Sequence, residues 1–278
     1  MLVTTDELAH HLADPRWVVF DCRHDLTDPA RGERWYREGH IPGAHFAAVD
    51  TVLSGAKNGR NGRHPLPAPE GFADFLGRHG VSDTTQVVAY DDVGGQYAAR
   101  LWWMARWIGL TKVALISGGY TKWLQEERPV TAEIPTLRPA VLRAIQNPSM
   151  IWTTAEVEKR MSLPGSALVD ARAPERFRGD VEPIDRVAGH IPGAKNRFYK
   201  ANLNADATFR SAADLRREFS ALIGAAPTDQ VGHQCGSGIT ACANLFAMEY
   251  AGMPGSKLYV GSWSEWIADP ERPIAKGE

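Results

Sequence analysis

One cysteine of this 278-residue chain has the surroundings of a nucleophile. Cys235 lies in the stretch "HQCGSGITACANLF", directly after a short strand-like run and before a run of helical composition. Gly236 and Gly238 allow the backbone between the strand and the helix to curl, so that several N–H groups point inward. Such a nest of amides at the start of a helix attracts an anion. A thiolate held there is stabilised and is a good nucleophile at neutral pH.

Other roles are open to a cysteine at this position. A zinc site needs paired cysteines or histidines at short spacing, and His233 with Cys235 forms one pair without a second, so no metal is expected. A phosphatase loop needs an arginine six residues after its cysteine to bind phosphate, and that position is Ala241. A buried structural role remains the alternative for Cys235, and it is the favoured interpretation for Cys22 and Cys242.

The composition argues against several classes of protein. A net charge of -2 gives no basic field for nucleic acid and no polybasic signal for a membrane surface. The N-terminal segment "MLVTTDELAHHL" lacks the apolar core of a signal peptide, and no run approaches transmembrane length. Three cysteines are too few for a disulfide framework. We therefore expect a protein of the reducing cytoplasm, without nucleic-acid or membrane partners.

The chain contains two copies of one domain. "GHIPGA" occurs at residues 39–44 and again at 189–194, an offset of 150 residues (189 − 39). "VVFDCR" pairs with "ALVDAR", and "GGYTKW" with "GSWSEW", in the same order and at nearly the same offset. The sequence between the copies carries four prolines in residues 126–150. We predict a first domain over residues 1–130, a linker over 131–149 and a second domain over 150–278.

Each copy alternates strand-like and helix-like segments, which predicts an α/β fold with a mostly parallel sheet covered by helices. Chemistry in such sheets takes place at the carboxyl ends of the strands. Residues that occur in both copies are expected to be structural, because only one copy has the cysteine loop. They are the two Asp-x-Arg pairs and the histidines of the repeated motif: Asp21 with Arg23, Asp170 with Arg172, His40 and His190.

The first copy serves as an internal comparison for the cysteine loop. Residues 88–109 align without gaps to residues 231–252 at an offset of 143 (231 − 88), which places Asp92 opposite Cys235. A cysteine needed for packing would more often face a small apolar residue in the other copy. An aspartate there indicates a loop position that solvent reaches, and it leaves the first copy without a nucleophile.

Two tandem domains with these motifs, and a cysteine loop only in the second, resemble the rhodanese-like sulfurtransferases over nearly the whole chain. The loop "CGSGIT" is similar to that of the 3-mercaptopyruvate sulfurtransferase branch, whereas the thiosulfate branch typically carries basic residues there. The neutral side chains of Gly236 and Ser237 agree with this, because cationic side chains would stabilise the thiosulfate dianion. The resemblance implies two tandem rhodanese-like domains, the first catalytically silent.

The resemblance also implies residues that bind the donor. Four of them belong to the cysteine loop: Gly236, Gly238, Ile239 and Thr240. The family's carboxylate-binding arginines lie between the Asp-x-Arg strand and the second Gly-His-Ile-Pro-Gly-Ala. Arg176 matches the first of these arginines. Arg186 is expected to be the second, with altered spacing after its Glu-Pro element, and Arg178 is the alternative.

An Asp–His–Ser set that assists proton transfer has been proposed for this family. The resemblance places it on Asp50, His64 and Ser237. The imidazole would relay a proton while Asp50 sets its tautomer. The alternative for His64 is an ordinary exposed histidine, because "SGAKNGRNGRHPLP" is a glycine-rich, basic segment.

The predicted protein is a 3-mercaptopyruvate sulfurtransferase that forms a persulfide on Cys235 and releases pyruvate. Its partners would be a small-molecule sulfur donor and, as acceptor, a thiol, cyanide or a thioredoxin-like protein. We expect ping-pong kinetics, no cofactor and a monomeric enzyme. Two alternatives remain: a thiosulfate:cyanide sulfurtransferase, and a sulfur-carrier module without turnover of a small molecule.

Overall fold

The computed structural model describes residues 1–161 and 163–278. Within these residues the chain divides into two compact units. Unit 1 consists of Met1–Gly55, Leu66–Asn147 and Leu203–Phe209, and unit 2 of Ala56–Pro65, Pro148–Asn202 and Arg210–Glu278. Unit 2 therefore includes the short segment Ala56–Pro65, in which His64 lies. No helix in the described ranges combines the length and the apolar character that crossing a membrane requires.

Unit 1 contains a parallel sheet of five strands in the order β1-β5-β4-β2-β3. Its strands are β1 (Leu2–Val3), β2 (Trp17–Asp21), β3 (His45–Phe46), β4 (Gln86–Tyr90) and β5 (Val113–Ile116). Its helices are α1 (Thr5–His11), α2 (Arg31–Glu38), α3 (Pro69–Arg78), α4 (Gln96–Trp107) and α5 (Gly119–Gln125).

Unit 2 repeats this sheet with the order β6-β10-β9-β7-β8, again parallel. Its strands are β6 (Ile151–Trp152), β7 (Ala167–Asp170), β8 (Lys195–Asn196), β9 (Val231–Gln234) and β10 (Lys257–Tyr259). Its helices are α6 (Thr154–Arg160), α7 (Pro174–Arg178), α8 (Ala212–Ile223), α9 (Thr240–Tyr250) and α10 (Ser262–Trp266). The predicted α/β class with two helix-flanked parallel sheets is confirmed.

The central strands are buried because helices cover both faces of each sheet. This is why β4, β5 and β7 are largely apolar runs, although β9 also buries His233 and Gln234. Every residue of β9 is buried, and so is every residue of β5 and β7. In unit 2, Trp263 and Trp266 pack without exposure into the cluster around Leu168 and Tyr259. This buried core supports the loops that leave the carboxyl ends of the strands.

Residues shared by the two copies stabilise the ends of the strands. Arg23 pairs with Asp21 at 2.6 Å, and Arg172 pairs with Asp170 at 2.7 Å. The repeated histidine makes hydrogen bonds to the backbone in each unit; in unit 2, Nδ1 of His190 lies 2.8 Å from the Phe177 carbonyl oxygen. These buried contacts are the structural role that the duplication predicts.

The segment after α5 is extended and remains attached to unit 1 up to Asn147. The amide of Ala140 donates to the carbonyl of Gly77 at 2.8 Å, and the amide of Ile145 donates to the carbonyl of Ile108 at 2.9 Å. These bonds satisfy backbone groups of a stretch that has no helix or strand of its own.

Candidate active site

Cys235 directly follows β9 at the carboxyl end of the unit 2 sheet, and only 2% of it is exposed. The neighbouring turn after β10 fixes its backbone. The Cys235 amide donates to Oγ of Ser262 at 3.1 Å, and the Cys235 carbonyl accepts from the amide of Trp263 at 3.0 Å. The cysteine backbone is therefore held by an adjacent strand end, which leaves the orientation of the thiol to the loop that follows.

That loop directs backbone amides at the sulfur. The amide of Gly238 lies 3.1 Å from Sγ of Cys235, and the amide of Ser237 lies 3.5 Å from it. Helix α9 begins at Thr240, and no side chain caps its N-terminus at Ile239. The sulfur thus faces amide donors and the positive end of a helix dipole, an environment that stabilises a thiolate.

Gly238 is required for this curl. Its φ is +80°, a conformation that favours glycine, and a β-carbon added there would lie 2.3 Å from the carbonyl oxygen of Val260. The two other cysteines are fully buried, and in the part of the chain that the structure describes neither thiol lies in such a nest of amides. Burial raises the pKa of Cys22 well above its ordinary value, and Sγ of Cys242 lies 3.3 Å from the carbonyl of Gly238.

The structure brings His64 and Ser237 together within unit 2. Nδ1 of His64 lies 2.7 Å from Oγ of Ser237, and both residues are buried. The segment that carries His64 is fixed by its neighbours, because the amide of Arg63 donates to Oγ of Ser264 at 3.1 Å. His64 is therefore not the exposed histidine that its glycine-rich surroundings also allowed.

Asp50 lies in unit 1, where its Oδ2 is 3.9 Å from Nε2 of His24. This distance is long for a hydrogen bond and allows an ion pair when His24 is protonated. The role of Asp50 beside His64, which the resemblance implies, stays a prediction.

Arg176 extends from α7 to the cysteine loop. A β-carbon placed on Gly236 would lie 3.6 Å from Nη2 of Arg176. The guanidinium also makes a two-point contact with Glu182, with Nη2 and Oε1 2.7 Å apart, and approaches Oδ2 of Asp185 at 3.1 Å. The carboxylates hold the arginine in one orientation next to the loop.

The other two predicted arginines make different contacts. Arg186 donates from Nη2 to the backbone carbonyl of Ile267, and Arg178 pairs with Asp180 at 2.8 Å. Both contacts are with groups outside the cysteine loop. Neither arginine is among the groups nearest to Gly236, and the role of either one as a carboxylate contact stays a prediction.

A further arginine, which no motif in the sequence predicts, lies at the loop. A β-carbon on Gly236 would lie 2.8 Å from Nη2 of Arg63, and Nη1 of Arg63 pairs with Oδ1 of Asp185. Arg63 immediately precedes His64, so the histidine itself is the signal that marks this segment. The segment is glycine-rich and contains several basic residues, so its composition does not distinguish Arg63 from an ordinary surface cation.

Charges around the loop balance one another. Burial raises the pKa of Asp185, against the opposing influence of Arg63. Burial also acts to raise the pKa of Glu182, but hydrogen bonds, foremost from Arg176, bring its net pKa below the ordinary value. Three guanidinium groups and three carboxylates form this cluster: Arg63, Arg172 and Arg176 with Asp170, Glu182 and Asp185.

Unit 1 uses the equivalent amide nest in a different way. The carboxylate of Asp91 accepts the amides of four residues at the start of α4, at 2.8 to 3.0 Å: Val93, Gly95, Tyr97 and Ala98. Asp92, which aligns with Cys235, is largely buried, and burial raises its pKa to about 6. Because Asp91 already occupies the amides, the described loop after β4 offers neither a thiol nor an open anion site.

This arrangement defines a class: an α/β protein with a cysteine thiol in an amide nest, built on one half of a duplicated fold. A sequence profile of the Rhodanese-like domain family matches residues 4–126 and 153–269. The chain belongs to this family, and the predicted resemblance is confirmed.

Individual relatives cover the chain from end to end. A probable 3-mercaptopyruvate sulfurtransferase of Pseudomonas aeruginosa is 46% identical over 100% of this chain and 98% of its own length. The thiosulfate sulfurtransferase of Bos taurus is 36% identical over 100% of this chain and 96% of its own. The crystal structure of the 3-mercaptopyruvate sulfurtransferase SseA from Escherichia coli superposes with a TM-score of 0.81 at 30% identity, covering 94% of this chain and 98% of that one. The predicted activity class, sulfur transfer by an enzyme, is thereby confirmed.

Proposed function

We propose that this protein takes the sulfur of 3-mercaptopyruvate onto Cys235, releases pyruvate and passes the sulfur to a second thiol, to cyanide or to a thioredoxin-like protein. The observation that carries the proposal is the placement of Sγ of Cys235 against the amides of Ser237 and Gly238, with His64 bonded to Ser237. One thiol, a stabilising nest and a proton-transfer pair are what the reaction needs.

In the first half-reaction the thiolate of Cys235 attacks the sulfur of the donor. The Sγ–S bond forms as the carbon–sulfur bond breaks, and the electron pair of that bond moves onto the donor carbonyl to give the enolate of pyruvate. The donor thiol loses one proton, and the enolate carbon gains one. Ser237 and His64 carry the proton from the donor sulfur to the enolate carbon.

The loop stabilises the product of this step. The outer sulfur of the persulfide is anionic, and the amides of the loop and the N-terminus of α9, around Ile239 and Thr240, offer it donors without reorganisation. In the second half-reaction the acceptor thiolate attacks the outer sulfur and the thiolate of Cys235 leaves. Donor and acceptor never meet, so the kinetics are ping-pong.

The choice of 3-mercaptopyruvate over thiosulfate rests on charge. The loop side chains are neutral, and the surrounding guanidinium groups are already matched by carboxylates. A monoanionic donor suits such a balanced cluster better than a dianion does. The relative from Pseudomonas aeruginosa, which carries the 3-mercaptopyruvate name, agrees with this donor.

Thiosulfate is the second candidate donor, since two guanidinium groups flank Gly236 and a full-length relative is named for thiosulfate. Comparing kcat/KM for the two donors with one acceptor thiol decides between them. We expect a clear preference for 3-mercaptopyruvate and release of many equivalents of pyruvate per enzyme. A higher kcat/KM for thiosulfate would show that thiosulfate is the preferred donor. Release of a single equivalent of pyruvate per enzyme would indicate a sulfur carrier.

We further propose that residues 150–278 form the domain with the nucleophile, that 131–149 are a linker and that 1–130 form a catalytically silent domain. The occupied amide nest of Asp91 supports the silence of the first copy. We propose a monomer in the cytoplasm, a reducing compartment, because the three cysteines are free and the reaction needs Cys235 as a thiol.

A further inference from the structure

Unit 2 places one arginine at the cysteine loop for which the proposed reaction has as yet no use. Arg63 comes from the segment Ala56–Pro65, and Nη2 is its atom nearest to Gly236, at 2.8 Å from the position of an added β-carbon. Nη2 of Arg176 is 3.6 Å from the same position. Two guanidinium groups thus lie on one side of the residue that follows the nucleophile.

The rest of the Arg63 side chain is fixed. Its backbone amide donates to Oγ of Ser264 at 3.1 Å, and Nη1 pairs with Oδ1 of Asp185, whose side chain is 4% exposed. The other oxygen of Asp185 faces Arg176 at 3.1 Å. One buried carboxylate therefore bridges the two arginines and holds their spacing.

Arg63 keeps donor capacity after these contacts. A guanidinium has five N–H groups, and the pair with Asp185 engages one N–H of Nη1. Among the described residues, Nε of Arg63 is buried and has no hydrogen-bond partner. A buried N–H without an acceptor is costly, and an anion bound at this side of the guanidinium would satisfy it.

We propose that Arg63, together with Arg176, binds the carboxylate of the sulfur donor, in the place that the family resemblance implies for Arg186. This inference rests on the proposed function for the identity of the donor. Its geometry is independent of that function, because any small carboxylate that reaches Cys235 meets the same pair of guanidinium groups.

Alkylation of Cys235 tests the inference without using turnover. Iodoacetate and iodoacetamide have nearly the same size and reactive carbon, and they differ in the carboxylate. The ratio of their alkylation rates at Cys235, followed by mass spectrometry, therefore measures recognition of a carboxylate beside the thiol. Reagents, pH and ionic strength are kept identical for every variant.

We expect Arg63→Ala to lower the iodoacetate-to-iodoacetamide ratio about 10-fold or more, the loss of one charge-assisted hydrogen bond. Arg63→Gln keeps the length and polarity of the side chain, and its ratio should fall by a similar factor. This variant replaces Arg63→Ala if the alanine variant does not fold. Arg186→Ala is the matched control, since its guanidinium donates to the backbone of Ile267, and its ratio should change less than 2-fold.

An unchanged ratio in both Arg63 variants, or an equal fall in Arg186→Ala, would overturn the assignment of Arg63. That outcome is distinct from failure of the proposed function, which the wild-type enzyme reports separately as a lack of pyruvate release from 3-mercaptopyruvate. With the function in place, Arg63→Ala should also raise the KM for 3-mercaptopyruvate more than it lowers kcat.

Discussion

Nδ1 of His64 and Oγ of Ser237 lie 2.7 Å apart, although 173 positions separate the two residues in the chain. The amide of Ser237 in turn lies 3.5 Å from Sγ of Cys235. The hydroxyl is therefore linked on one side to an imidazole and through its own backbone to the nucleophile. A proton that leaves a donor thiol at Cys235 has a short path to His64.

This relationship predicts that His64 and Ser237 act as one unit. His64→Gln and Ser237→Ala should each lower kcat with 3-mercaptopyruvate about 10²-fold, the contribution typical of a positioned acid–base group. The double variant should lose little more than either single variant, because residues that act together are not additive. Steady-state release of pyruvate measures all three.

Thiosulfate provides the control for this prediction. Its sulfur transfer releases sulfite and needs no proton on a carbon, so any residual activity with thiosulfate should fall much less in His64→Gln. Equal losses with both donors, or fully additive losses in the double variant, would contradict the proton-transfer role.

Gly238 supplies a prediction about the loop backbone. Gly238→Ala combines a φ of +80° with a contact of 2.3 Å between the new β-carbon and the carbonyl oxygen of Val260. We expect the free energy of unfolding to fall by about 1–3 kcal/mol. We also expect alkylation of Cys235 to become slower, because the Gly238 amide moves away from the sulfur. Gly165→Ala is the control, since its φ is +81° with nothing within 4 Å of the added carbon. A loss of alkylation rate in Gly165→Ala as large as in Gly238→Ala would contradict this account.

His233 in β9 predicts how stability depends on pH. Burial, with a smaller contribution from Arg197, lowers the pKa of His233 from 6.5 to about 3. The unfolded chain therefore binds a proton between these values that the folded chain does not bind. Neutral, buried His233 therefore contributes its full stability above about pH 6.5. The free energy of unfolding falls as the pH drops toward 3, by about 3 kcal/mol at pH 4.5.

His233→Leu should remove this pH-dependent loss of stability. Neither ring nitrogen of His233 has a hydrogen-bond partner in the described part of the chain, so leucine costs no bond there. Denaturant unfolding at pH 7 and pH 4.5 should show a smaller acid-induced loss in the variant than in the wild type. His45, whose pKa is lowered to about 4, contributes equally to both proteins. Equal acid sensitivity in both proteins would argue against a neutral, buried His233.

Local patterns predicted much of this molecule. The duplicated motif, the apolar strands and the glycines after Cys235 depend on neighbours in the sequence, and the resulting sheets and the loop before α9 follow from them. The pairs Asp21–Arg23 and Asp170–Arg172 have partners two residues apart, so the sequence alone indicates them.

Other features depend on contacts that no local pattern records. Arg63 and its partner Asp185 are 122 positions apart, and they meet because the short segment Ala56–Pro65 belongs to unit 2. Arg186 lies in the expected segment, but its altered spacing directs it to the carbonyl of Ile267. Charge and spacing along the chain cannot show which guanidinium reaches the loop.

The central claim, sulfur transfer through Cys235, is tested most directly by intact-protein mass spectrometry after a short incubation with 3-mercaptopyruvate and without an acceptor. The wild-type protein should gain the mass of one sulfur atom and release one equivalent of pyruvate, and Cys235→Ser should do neither. Cys242→Ser, which changes a buried thiol in the same unit, should behave like the wild type. Pyruvate release without a persulfide, or formation of a persulfide in Cys235→Ser, would contradict sulfur transfer through Cys235.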